Sequence, residues 1–340
     1  MKPAMPSAKP AGLVAIEREM ARQRKDALSS FTDAEERASA VAASIRRTGR
    51  LLLLGMGASH GLNRAVEPLF RGHGVDAVAL PLSEQLDQPL SIEGRTVIVT
   101  SQSGESAEVV RWLKAAEPGA DAFGLTMDAG STLARSLPSL LGAGGVETAF
   151  AATRSTFVGV ALHAAVLSAL GTGPAPFLQA LRTPTDPGIA DAVAALAGVR
   201  SIVTSARRLQ GLAEVLALGL TELSRLPCFA LECGQLRHGP MEMLGPEVGA
   251  VFLCGDDATG ELVRGLAEAV AATGAPTIVL DASGRAPATG VVTVDAGRHD
   301  GIAALATLLP IAQRLMIGVA ATRVADVGTP VRSQKITRTE

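Results

Sequence analysis

Leu51-Leu52-Leu53-Leu54-Gly55-Met56-Gly57-Ala58-Ser59 is a short apolar run that breaks into a glycine turn. Four leucines without polar alternation predict a strand buried on both faces. The turn opens a helix at about 60–73, and the apolar run Val75 to Leu80 follows. Thr96-Val97-Ile98-Val99-Thr100 is a β-branched strand, with a helix starting near Glu105. Ala122 to Thr126 reads as a strand, Ser131 to Ser136 as a short helix, and Ser139 to Gly142 as a short strand. A long helix is expected at about 153–170. Upstream, residues 13–48 carry helical periodicity with a break at Ser30/Thr32. Strands alternating with helices predict a parallel sheet covered on both faces.

The same pattern restarts after Gly171 to Gly188, which is rich in Pro, Gly and Thr and reads as a linker. Strands are expected at Ile202–Thr204, Val248–Leu253 and Thr277–Leu280, with helices at 207–225, 259–273 and 302–321. Strand–turn–helix at Leu51–Gly72 and again at Ile202–Arg225 is a weak internal repeat. The expected organisation is a leader and helix over 1–30 (1–12 flexible), units at 31–172 and 189–325, and a polar tail at 326–340.

Composition narrows the function. The 340 residues are 47% hydrophobic and 19% charged, with net charge −2, so a nucleic-acid binder with a basic stripe is not expected. One Trp, eight Phe and no Tyr argue against a site that stacks rings on sugars or bases. Cys228, Cys233 and Cys254 form no CxxC pair, which fits a reducing cytoplasm. No signal peptide is read in Met1 to Gly12. The apolar run Thr156 to Leu170 is shorter than a membrane span, and no membrane association is expected. His60, His73, His163 and His299 show no ligand spacing, so no metal or other cofactor is expected.

Ser101-Gln102-Ser103-Gly104-Glu105-Ser106 delivers hydroxyls, an amide and a glycine from a buried strand into a helix start. Backbone N–H groups and a helix N-terminus there suit an anion. No Gly-Lys-Ser/Thr follows, so a single phosphate monoester fits better than a nucleotide triphosphate. Gly55 to Gly61 nearly matches a dinucleotide fingerprint, but its third glycine is one place late. Glu84, behind Pro81, is the nearest acidic residue for a ribose. A nicotinamide-dependent dehydrogenase therefore rests on that turn alone.

Ser101 to Ser106 resembles the SQSGE[T/S] loop of the SIS (sugar isomerase) domain. Gly55 to Ser59 is similar to that domain's glycine turn, and Glu147 to Ser155 (ETAFAATRS) to its E-x-x-V-A-S-T-K segment. Gln235 to Pro240 (QLRHGP) resembles the E-[FL]-[KR]-H-G-P motif, and Lys335 to Glu340 the K-V-T-x-T ending. The order is preserved over about residues 15–340. The resemblance is to the double-SIS group: the isomerase part of glucosamine-6-phosphate synthase and stand-alone amino-sugar-phosphate deaminases, isomerases and deglycases. It implies an α/β fold of two SIS domains, each a parallel sheet flanked by helices in three layers.

The resemblance also implies roles. Ser59, Ser101, Gln102, Ser103 and Ser106, with Gly57 and Ala152, match positions around the sugar phosphate. Glu222 matches the base that moves a proton between C1 and C2, a task for a carboxylate whose pKa burial has raised. His238 matches the residue that opens the sugar ring. Lys335 matches the lysine that meets the open-chain sugar, in some members as a Schiff base. Taken singly, Glu222 reads as a solvent-facing helix residue, Lys335 as a solvated tail residue and His238 as a turn cap. In the family the histidine serves the neighbouring subunit, so a homodimer with a shared site is implied.

Gln235 stands where the motif has Glu, Ala152 where it has Ser, and Arg154 where it has Lys. They point to a changed substrate or lost activity. The expected activity is deamination of glucosamine 6-phosphate to fructose 6-phosphate and ammonia. The helix around Glu17–Gln23 is similar to the leader of stand-alone deaminases. The chain begins Met-Lys, without an N-terminal Cys or glutaminase domain, so synthase activity is not expected. A deglycase for fructosyl-amino-acid 6-phosphates, or another aldose–ketose isomerase, is the alternative enzyme. A phosphosugar sensor is the non-enzyme alternative, although residues 1–48 are too short and too weakly basic for a DNA-binding segment. In each case the phosphate is the handle, gripped by hydroxyls with no ring beneath the sugar.

Overall fold

A computed structural model describes residues 9–338; Met1 to Ala8 of the expected leader, and Thr339 and Glu340 of the terminal motif, lie outside them. Helices α1 (Ala11–Asp33) and α2 (Glu35–Thr48) lead into β1 (Arg50–Gly55), α3 (Ala58–Arg71), β2 (Asp76–Pro81) and α4 (Glu84–Asp87). Then come β3 (Thr96–Thr100), α5 (Ala107–Ala115), β4 (Ala122–Thr126), α6 (Thr132–Ser136), β5 (Ser139–Leu141) and α7 (Arg154–Leu170). Two helices follow, α8 (Ala175–Arg182) and α9 (Ala190–Leu196). The second half holds β6 (Ser201–Ser205), α10 (Gln210–Ser224), β7 (Cys228–Ala230), α11 (Cys233–Arg237) and β8 (Val248–Gly255). It ends with α12 (Gly260–Ala271), β9 (Thr277–Ala282), β10 (Val292–Asp295) and α13 (Gly301–Ala321).

The strands form two five-stranded sheets, ordered β2-β1-β3-β4-β5 and β10-β9-β8-β6-β7, and the pairings between these strands are parallel. The leucine run shows why each sheet sits in the middle of three layers. Leu51 and Leu53 join a core shared with α7, α10 and α13, while Leu52 and Leu54 join an outer core around Trp112. Alternate side chains leave a strand on opposite faces, so a run of four leucines feeds both layers. Each leucine is fully buried, worth about 2 kcal/mol apiece by area removed from water. The central core also takes Ile202, Val251 and Leu280 from the second sheet, so both halves share it.

Two expectations change, and one expected helix proves longer than a membrane span needs. The stretch read as a linker contains α8, because Phe177, Ala180 and Leu181 form an apolar stripe buried beneath α1 and α13. The leading helix begins at Ala11, inside the expected flexible segment, and packs along α7. Finally, α13 is long and apolar enough to cross a membrane by length and composition. Here it is the core helix, with 83% of its most apolar window buried in the protein.

Candidate active site

The first sheet reverses strand order between β1 and β3, which opens a crevice at the carboxyl ends of these strands. A cavity of about 360 Å³ lies there. The turn after β1 supplies Gly57 and Ser59. The loop after β3 supplies Ser101, Gln102, Ser103 and Ser106, and the approach to α7 supplies Ala152. From the second half α10 contributes Glu222, and the C-terminal tail contributes Lys335. Nine of the ten residues singled out from the sequence therefore surround one cavity. His238 does not; it is exposed at the end of α11.

The serine loop is held rigidly. Gly104 has φ +62°, and a Cβ there would fall 2.3 Å from Ser131 Oγ, so only glycine fits. Ser101 Oγ accepts from Gly104 N–H at 3.1 Å, and Ser103 Oγ accepts from Glu105 N–H at 3.3 Å. In both bonds the serine oxygen is the acceptor, which leaves its own proton for an anion. The Glu105 carboxylate accepts from Thr132 N–H and, at 3.0 Å, Thr132 Oγ1, tying the loop to α6. Gln102 Oε1 accepts from Glu147 N–H at 3.1 Å, while its Nε2 has no partner among the described residues.

Glu147 was legible as part of a motif, but without a role of its own. Its carboxylate is fully buried at the start of α7, a helix whose Thr153 makes no side-chain cap. It accepts from Thr153 N–H (3.0 Å), Thr153 Oγ1 (2.7 Å), Arg154 N–H (2.8 Å), and the amide and hydroxyl of Ser155. A carboxylate answering orphan helix donors is well placed. It also pairs with Lys335 Nζ at 3.4 Å, and that ammonium donates to Phe150 O at 3.3 Å. The tail is fastened once more where Ala107 N–H donates to Thr337 O at 3.0 Å.

Burial pushes the Glu222 carboxyl up to about 7, against the opposing pull of the Lys335 charge. A group poised there can exchange a proton at neutral pH. Arg154 does not line the cavity. It is wholly buried, bonding Glu19 Oε2 at 2.6 Å, Gly145 O at 2.6 Å, Ala143 O at 3.1 Å and Asp26 Oδ2 at 3.4 Å. Burial alone would raise the Glu19 carboxyl, yet bonds from Arg154 and Thr148 N–H hold it below its ordinary value. Of the three departures from the family motifs, only Ala152 faces the cavity, since Gln235 is exposed on α11.

The cavity wall also contains Thr100, Ser155, Thr156, Leu218 and Phe150. Ser155 closes the quoted motif and Thr156 follows it, and Leu218 lies one helical turn before Glu222. Phe150 corrects the expectation of a site without any ring.

No family model and no curated protein sequence matches the chain. Solved structures do. The architecture is the one shared by SIS-domain phosphosugar isomerases, so the resemblance drawn from the motifs holds for the fold. The C-terminal domain of glucosamine-fructose-6-phosphate aminotransferase from Francisella tularensis superposes with a TM-score of 0.78 at 19% identity, covering 95% of this chain and 99% of that one. Tagatose-6-phosphate ketose/aldose isomerase from Escherichia coli gives 0.75 at 19%, over 97% and 99%. Glucosamine-6-phosphate deaminase from Thermotoga maritima gives 0.65 at 17%, over 92% and 99%.

Proposed function

We propose that this chain is a phosphosugar aldose–ketose isomerase that deaminates glucosamine 6-phosphate to fructose 6-phosphate and ammonia. One observation carries the reading: a serine-rich anion loop, a carboxyl poised near neutrality and a lysine ammonium, drawn from both halves and the tail, share one cavity. The division into units 31–172 and 189–325 with a catalytic tail at 326–340 belongs to the same reading, as does a cytoplasmic location.

Ser59, Ser101, Gln102, Ser103 and Ser106 hold the phosphate. In the open-chain sugar Glu222 takes the proton from C2 and returns it to C1, passing through an enolamine. The resulting C2 imine adds water and releases ammonia, so the redox balance is neutral. Lys335 faces the developing oxyanion. His238 of a second copy opens the ring, which explains its exposed position here and makes the working unit a homodimer.

The test is to incubate the protein with glucosamine 6-phosphate and follow ammonia and fructose 6-phosphate. Glu222→Gln and Lys335→Ala are expected to lower kcat at least 100-fold. No turnover by the parent protein, or undiminished turnover in both variants, sinks the proposal. A deglycase is favoured by one feature: a second cavity of about 430 Å³ shares Phe150, Glu222 and Ser333 with the first. That space would take a substituent on the sugar nitrogen. Faster release of an amino acid from a fructosyl-amino-acid 6-phosphate than of ammonia would establish this reading.

A further inference from the structure

The two halves repeat each other in space. The strand orders match when β1 is laid on β6, β2 on β7, β3 on β8, β4 on β9 and β5 on β10. Along β1–α3 and β6–α10 the step is 150 residues, pairing Gly61 with Gly211, Pro68 with Leu218 and Gly72 with Glu222. The catalytic cavity takes Leu218 and Glu222 from α10. A separate cavity of about 220 Å³ takes Pro68 and Gly72 from the segment of α3 and its end. It also takes residues of the turn after β6 and of the start of α13, the counterparts of the turn after β1 and the start of α7. The second half has thus kept a cavity at the place that corresponds to the substrate site.

Its chemistry is different. No serine lines it, and Gly72 replaces the base. The exposed Arg208 guanidinium and the carboxylates of Asp257 and Asp300 line it together. Among the described residues Arg208 makes no ion pair, with these carboxylates or any other. Asp257 spends Oδ1 on Thr259, and Asp300 spends Oδ1 on Gly301 N–H, so each keeps its second oxygen. Leu69, Leu167 and Leu305 make the apolar part of the remaining wall, which also holds His73, paired through Nε2 with Thr172 Oγ1 at 2.7 Å. Opposite charges that share a cavity without meeting, beside an apolar wall, are complementary to a molecule that bridges them. The size is below that of drug-sized ligand sites.

We infer that this cavity binds a small free α-amino acid. Arg208 receives the carboxylate in bidentate fashion, Asp257 and Asp300 receive the ammonium, and the leucines receive the side chain. Phosphate is disfavoured by the two carboxylates. The site is independent of the phosphosugar reading, and its test does not measure turnover.

The full chain is titrated calorimetrically with glycine, L-serine and L-leucine, then with N-acetyl-L-leucine and L-leucinamide, each of which lacks one charge. L-Leucine is expected to bind with a Kd of about 1 mM or tighter, ahead of glycine, and both blocked analogues at least tenfold more weakly. Arg208→Ala, an exposed position that leaves the core intact, and Leu69→Trp, which fills the apolar wall, should each weaken L-leucine at least tenfold. No heat from any free amino acid, equal binding of the blocked analogues, or unchanged affinity in Arg208→Ala overturns the inference. Tighter binding of inorganic phosphate or free glucosamine at this cavity, lost in the same variant, overturns it as well.

Discussion

Glu222 joins reactivity to a stability cost in a single side chain. Its carboxyl ordinarily titrates near 4.5 and is pushed up to about 7 by burial. As the proposed base it must be ionised, so kcat/KM should rise with pH through about 7 and then level. The stability consequence has the opposite slope. The folded chain keeps a proton that the unfolded chain releases near 4.5, so the folded state binds more protons across that interval. Folding stability therefore falls as pH rises from about 4.5 to about 7, by at most about 3 kcal/mol. Glu222→Gln removes the ionisation while keeping the shape. It should unfold at a higher Tm than the parent at pH 8, and the difference should shrink at pH 4. A Tm difference that does not change with pH would refute burial as the origin of the shift.

The start of α7 shows what the sequence could and could not reveal about an element. Parallel strands such as Val97-Ile98-Val99 were legible because burial on both faces leaves an unbroken apolar run. The short β7 was not, for it lies at a sheet edge, with Cys228 and Ala230 only partly covered and Phe229 exposed. The helix at 153–170 was also legible, yet the meaning of Arg154 was not. In the motif it stands where a lysine is expected; in space it turns toward Glu19 and Asp26 on α1, far away in the chain. Only the packing of α1 against α7 decides that direction. Arg154→Lys, which inserts the residue of the resembled motif, should therefore destabilise the fold, because one ammonium cannot reach the two carboxylates and two carbonyls that the guanidinium fork serves. A loss of about 2–4 kcal/mol is expected from urea unfolding, with the KM for phosphosugar little changed in the folded protein. A stable variant with altered KM would mean that the side chain does face the substrate.

At the scale of the whole molecule, the proposed catalytic cavity depends on how closely α3 and α10 approach, since α3 follows the glycine turn and α10 carries Glu222. Two glycines set that approach, and they are not equivalent. A Cβ on Gly61 would meet Val215 Cγ2 at 2.7 Å, the end of a side chain. A Cβ on Gly211 would meet Ala65 N at 2.0 Å and Arg64 C at 2.4 Å, the backbone of α3. Backbone within a packed helix has no rotamer into which it can retreat, so the helices must separate. Gly211→Ala should cost about 2–3 kcal/mol and displace Glu222 relative to the serine loop. Positional errors of about 1 Å at a reacting group can cost on the order of 100-fold in rate, so kcat should fall by a similar factor. Gly61→Ala should cost less on both counts. Equal penalties in the two variants would show that the spacing of the halves is set elsewhere in the shared core; a stable, fully active Gly211→Ala would show that α10 does not fix the base.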